Sequence, residues 1–217
     1  MMYLLMHTDE GATMNVQEII IGDMQITIPA SFAKLNRLPD DPPDMVAYAT
    51  QTEQSTCMMF LQPIGIEYAM PYDEPQAVIA GIHQTLGDDQ GLIEVATATT
   101  NAGRNTIWSI VKTISPTAGT QYALTMHIDW HSFALQVQAF ANEAGVAGIR
   151  EAQVHEFARR QGWIDSNGHG WSQDPYDAEY HHGALMNISE NDQFDNSFPN
   201  HPLSVIRRLT ATLISHN

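Results

Sequence analysis

The sequence predicts an α+β fold: a mostly antiparallel sheet with helices packed on both faces, an α/β/α layering. Three observations carry this. Runs of period-two alternation recur in pairs about short polar corners, as antiparallel hairpins require. The run 106–114, with Ile107, Trp108, Ile110, Val111 and Ile114, is apolar at almost every step, as in a strand covered from both sides. Two stretches of helical period, near 75–86 and 146–161, interrupt the strands and can supply that cover.

Taken in order, residues 1–15 read as a tail. Alternating runs at 16–21 and 24–28 flank Gly22-Asp23 as a first hairpin, and Pro29 ends it. Residues 31–35 suggest one helical turn, and Leu38-Pro39-Asp40-Asp41-Pro42-Pro43-Asp44 a rigid acidic loop. Strands are expected at 45–50 and 55–62, then a loop over 63–72 presenting Ile64, Ile66, Tyr68 and Met70. Glu74-Pro75 opens a helix, proline being tolerated in a first turn, with Val78, Ile79, Ile82 and Leu86 on one side. Runs 92–100 and 106–114 pair about Asn101-Ala102-Gly103-Arg104.

The stretch 120–160 is the centre of the chain. Tyr122, Leu124, Met126 and Ile128 alternate with more polar residues, and after Trp130-His131-Ser132 the pattern resumes with Phe133, Leu135, Val137 and Ala139. A helix over 146–161 follows, with Val146, Ile149, Gln153 and Phe157 sharing a face and Val154 and Ala158 beside it. Glu143 and Glu151 lie toward its start and Arg159 and Arg160 at its end, as the helix dipole favours; Gly162 stops it. Beyond lies an extension, 163–217. Within it, 165–177 lacks periodicity, 184–188 reads as a brief strand and 194–202 as a loop. A last helix after Pro202 places Leu203, Ile206, Leu209 and Leu213 on one stripe, with Arg207 and Arg208 on its polar side, and is expected to dock on the parent domain. The organisation is thus a tail (1–15), an α+β domain (16–162) and the extension.

The opening hairpin with Ile28-Pro29-Ala30-Ser31-Phe32 behind it, and the element order that follows, resemble the PsbP-like fold over about residues 16–162. That fold is shared by the photosystem II extrinsic subunit, a Ran-binding nuclear transport factor and bacterial DcrB-like proteins; the resemblance points to the bacterial, DcrB-like branch. It implies a binding protein or assembly factor rather than an enzyme, and a link to secretion through members that look like chaperones or adaptors for effectors. No subfamily motif matches residue by residue, so no site is carried over.

Composition narrows the classes. Nine Lys+Arg against 25 Asp+Glu give a formal charge of −16, which argues against nucleic-acid binding and permits a basic partner. The single cysteine, Cys57, excludes an internal disulfide and sits in a strand-like run as a small buried hydrophobe. No stretch is long and apolar enough for a membrane span, and the start lacks a basic segment and cleavage pattern, so the expected location is cytoplasmic.

Chemistry-bearing residues are sparse in pattern. His127 and His131 lie off the apolar register and read as solvent-facing. Tyr180-His181-His182-Gly183, with His169, Asp165, Asp174, Asp177 and Glu179, is the densest set of metal-capable residues, yet no zinc-ligand spacing is present. No nucleophile elbow or phosphate-cradling glycine run occurs; Ser172 and Ser189 have no partnered base. Catalytic, cofactor and metal residues are therefore not assigned, and no cofactor is expected. Trp163, Trp171, Tyr176 and Tyr180 form the candidate partner-binding set, since Trp and Tyr anchor interfaces. The reading is a non-enzymatic protein-binding module (adaptor, chaperone or inhibitor-like), its partner basic or carrying an exposed apolar segment, with self-association left open. Two alternatives stand beside it: a metal-assisted hydrolase using His169, His181 and His182 of the 165–182 loop, and a binder of small apolar ligands.

Overall fold

The structure, a computed structural model, describes residues 15–217, so the expected tail lies, but for Asn15, outside the described residues. β1 (Val16–Ile21) and β2 (Met24–Pro29) form a separate hairpin. β3 (Ala33–Lys34), β4 (Val46–Gln51), β5 (Ser55–Gly65), β6 (Gln90–Thr99), β7 (Asn105–Ser115), β8 (Gly119–Asp129) and β9 (Phe133–Glu143) build a seven-stranded sheet in the order β3-β4-β5-β9-β8-β7-β6. Every neighbouring pair is antiparallel. The helices are α1 (Pro75–Thr85), α2 (Ile149–Gln161) and α3 (Pro202–His216). Among the described residues no helix is long and apolar enough to cross a membrane.

Alternation decides which side chains meet. Tyr122, Leu124, Met126 and Ile128 of β8 and Leu135, Val137, Ala139 and Ala141 of β9 point to one face, each 0% exposed. There they join Ile26 and Ile28 of the hairpin and Leu203, Ile206, Leu209 and Leu213 of α3 in the main core. On the other face Val78 and Ile79 of α1, with Leu86 at its C-terminal cap, lie over Leu92, Val95 and Ile107. β7 is thus covered twice, Ile107 under α1 and Trp108 and Ile110 in the main core. The α+β, mostly antiparallel architecture with helices on both faces is observed directly.

Four local expectations are corrected. Residues 31–35 make no helical turn: Ala33 and Lys34 pair with Ala49 and Tyr48, and the Leu35 amide continues the ladder to the Ala47 carbonyl. β5 runs on through Pro63 to Gly65 because β9 is long enough to pair with it, Gly65 reaching Phe133. Residues 184–188 form no strand; a single bridge joins Ser172 and Asn187, and Ile188–Glu190 is a 3-10 turn fixed by a reciprocal cap between Asn187 and Glu190. Finally, α2 buries Arg150, Val154 and Ala158, while Val146 and Phe157 are exposed.

That last rotation follows from two buried cations. The Arg150 guanidinium donates from Nε to the Ser189 carbonyl (2.6 Å), from Nη2 to the Asn191 carbonyl (3.0 Å), and from Nη1 to Asp195 Oδ1 and Ser204 Oγ (both 2.9 Å). Lys112 of β7 meets Glu190 at 2.7 Å, the two side chains 2% and 1% exposed, and the Tyr122 hydroxyl donates to the other Glu190 oxygen at 3.1 Å. With every polar atom partnered, both cations can remain charged inside the fold. Together they fasten residues 187–204 between the sheet, α2 and α3. Glu190→Ala strands the Lys112 ammonium in the core and is expected to cost about 3–5 kcal/mol in urea unfolding. Pairing Glu190→Leu with Lys112→Met should recover most of it; a loss below about 1 kcal/mol for Glu190→Ala would contradict this role.

Candidate functional site: an uncovered sheet face

The four aromatic residues singled out in the extension spread from α2 around the sheet edge to α1. Trp163, 46% exposed, stands edge-on to Phe157 of α2 with centroids 5.3 Å apart. Trp171 meets His155 of α2 edge-on and lines the wall of a cleft of about 530 Å³ with Ile93, Glu94, Asp192 and Arg207. The Tyr176 hydroxyl donates to the Val95 carbonyl (3.0 Å) and accepts from the Val95 amide (2.5 Å), while the Ala184 amide bonds to the Gln90 carbonyl. These contacts occupy the open edge of β6, which would otherwise invite another strand. Tyr180 stacks on His83 of α1 at 4.0 Å and donates to its carbonyl.

The histidines do not converge either. His169 pairs with Asp165 at 2.8 Å in solvent, His182 contacts the Leu86 carbonyl, and His181 is exposed. Among the described residues the metal-capable trio is instead Glu143, Glu151 and His201. Its hydrogen bonding argues against a metal centre. His201 Nδ1 accepts the Leu203 amide as the cap of α3 and faces Arg150 Nη1 at 3.5 Å, which assigns the ring proton to Nε2. That nitrogen lies 3.9 Å from Glu151 Oε1, beyond hydrogen-bond distance, and while it keeps its proton it cannot ligate. Cys57 is inert, its thiol pushed up to about 12 by burial.

His127 is a further correction: it is 3% exposed rather than solvent-facing. Its Nδ1 accepts the Met70 amide at 2.8 Å and its Nε2 lies 3.1 Å from Gln136, because the 66–74 segment folds across this end of the sheet. His131 is exposed, at the hairpin corner with φ 68°.

What the fold leaves open is the α1 side of β5, β9 and β8. The pairing registers set out four rows there, Thr56–Asn142–Gln121, Met58–Phe140–Ala123, Phe60–Gln138–Thr125 and Gln62–Gln136–His127, the last closed at its buried His127 end by residues 66–74; a fifth, Ile64–Ala134–Asp129, lies beyond it. Their neighbours along each strand, such as Cys57, Met59 and Leu61, point into the main core. α1 lies over the β6 and β7 end of this face, and α3 and the β1–β2 hairpin lie on the other. Met58 is 45% exposed and Phe60 and Phe140 are partly exposed, their rings edge-to-face at 6.3 Å. Two cross-strand amide pairs bracket this band, Gln62 with Gln136 (2.8 Å) and Gln121 with Asn142 (2.9 Å). These four rows measure about 10 by 20 Å from strand spacing and rise, and none of their residues is charged at neutral pH; the first charge on this side of the strands is Asp129, in the row beyond. The alternation that reveals it is visible in the sequence, but its openness depends on where α1, α2 and the extension pack.

The buried rings make a pH test available. Burial lowers His127 to about 4, and burial with Arg150 and Arg207 lowers His201 to about 3, from 6.5. The unfolded chain therefore takes up protons first, and stability falls as the pH drops below about 6.5, the loss ending below the folded values. Between pH 7 and 5 the expected loss is about 2 kcal/mol per ring in urea titrations. Glu151, raised by burial, offsets part of it as it gains a proton. His127→Asn and His201→Asn keep an acceptor where Nδ1 stood and should each flatten the profile; an unchanged slope would contradict the assignment.

No family model and no curated protein matches the sequence. Among solved structures the chain is similar to the Ran-binding protein Mog1p of Saccharomyces cerevisiae, at 11% identity and a TM-score of 0.45 over 66% of this chain and 84% of that one. It is similar to a point mutant of the protein Mog1 at 8% identity and a TM-score of 0.44, over 94% and 98% of the two chains. It is also similar to a cyanobacterial PsbP from Synechocystis sp. PCC 6803, at 10% identity and a TM-score of 0.38 over 68% and 90%. The PsbP-like fold that the element order resembles is thus represented among the structures similar to this chain.

Proposed function

We propose that the chain is a non-catalytic protein-binding module that docks its partner on the uncovered face of β5, β9 and β8. The observation that carries this reading is the composition of that face in so charged a chain. With 9 Lys+Arg and 25 Asp+Glu overall, the four rows from Thr56 to His127 hold no ionised side chain and centre on Met58, Phe60 and Phe140. A solvated sheet face ordinarily carries charged side chains, whereas interface centres are depleted of charge and enriched in Met and aromatics. The Gln and Asn side chains answer one another across the strands, so covering them strands few hydrogen-bonding groups. Docking by strand addition is disfavoured: Tyr176 and Ala184 occupy the β6 edge, and β3 at the other edge is only 2 residues long. Adaptor, chaperone and inhibitor are three uses of such a face, and each requires a protein partner.

A photo-cross-linking amino acid placed at Phe60 should give discrete adducts in an extract of the source cells. The same group at Ile20, 76% exposed on the opposite hairpin, should give none. Met58→Glu is expected to abolish the Phe60 adducts while leaving stability within about 0.5 kcal/mol. Equal adducts from both positions, or adducts indifferent to Met58→Glu, would remove the proposal.

A further inference from the structure

The uncovered face is bordered at both ends by acidic residues. At the end holding Gly65 and Phe133, residues 66–74 supply Glu67, Asp73 and Glu74, and Asp129 closes β8. At the other end the β4–β5 turn supplies Glu53, and the segment 86–89, which leads into β6 beside the face, supplies Asp88 and Asp89; the connections that end β8 and β9 there, 116–118 and 144–148, are uncharged. Neither end includes a lysine or an arginine in these segments. Arg104, from the β6–β7 turn, lies 3.6 Å over the ring of Trp130, which packs against the main core on the opposite side. Three further cations are tied up internally: Lys112 on Glu190, Arg150 on Asp195, and Arg207 on Glu94 and Asp195. The result is an uncharged floor between two acidic ends.

Resting on the docking reading above, we infer that the partner's contact is uncharged at its centre and flanked by lysine or arginine. A flank of that sign is attracted at both ends of the face and would speed encounter as well as fix register. A second copy of this chain fits poorly, because in any face-to-face arrangement acidic ends meet acidic ends.

The test uses the full chain and two labelled synthetic peptides of about 18 residues that share one leucine stripe, the remaining positions being lysine in one and glutamine in the other. Fluorescence anisotropy at low salt should show the lysine peptide binding at least about tenfold more tightly, the advantage fading by about 0.5 M salt. Glu67→Lys and Asp89→Lys should each weaken the lysine peptide several-fold, whereas Glu18→Lys, on the opposite hairpin, should not. Met58→Glu should weaken both peptides. Equal affinity for the two peptides, or equal effects of the Glu67 and Glu18 reversals, overturns the inference. If the peptides bind equally yet both depend on Met58, docking stands and only the charge requirement falls. If neither depends on Met58, both fall. A dimer in sedimentation that Met58→Glu dissociates also overturns the inference, in favour of self-association.

Discussion

The structure depends on a pair of buried cations. Lys112 on β7 and Arg150 on α2 stand at positions where a small apolar residue would be unremarkable, and both turn inward to meet residues 187–204. Desolvating them is tolerable only because Glu190, Asp195, Ser204 and the carbonyls of Ser189 and Asn191 are already in place. The dependence runs both ways. Without the cations, Glu190 would be a buried acid with no counter-charge, held only by the Tyr122 hydroxyl and the Asn187 amide, and the segment that delivers α3 to the sheet would lose its fastening. With them, α3 places Leu203, Ile206, Leu209 and Leu213 on the floor formed by β8, β9 and the β1–β2 hairpin.

Closing one face so completely leaves the other free for binding. The main core takes the apolar side of every long central strand, so the reverse side of β5, β9 and β8 is not needed for stability and can be shaped by contact with other molecules. The two strand edges, the other common site of association, are blunted, one by Tyr176 and Ala184 and the other by shortness.

Much of the architecture was legible in the sequence, for physical reasons that can be named. Period-two alternation in 122–128 and 133–139 reports burial on one face, and it is independent of distant contacts. The stripes on α1 and α3 are equally plain, since their apolar residues recur at helical spacing. The misreadings of Arg150 and His127 share one cause. Arg150 reads as polar and so sets the wrong inner face for α2; His127 reads as exposed until residues 66–74 cross over it. The Tyr176 hydroxyl likewise bonds to the Val95 backbone, far away in the chain. In each case a polar group is buried by a partner far away in the chain, which no local period encodes. The uncovered face was half legible: its residues follow from register, its exposure only from where the helices and the extension pack.

The central claim is that residues 184–204 belong to the cooperative core through Lys112 and Arg150. Native-state hydrogen exchange addresses it most directly. The Ile188 amide, bonded to the Trp171 carbonyl, and the Ala184 amide, bonded to that of Gln90, should exchange only through the same opening as β8 amides such as Leu124. Exchange at Ile188 and Ala184 through an opening several kcal/mol cheaper, with β8 still protected, would show the extension to be a separable arm and contradict the account.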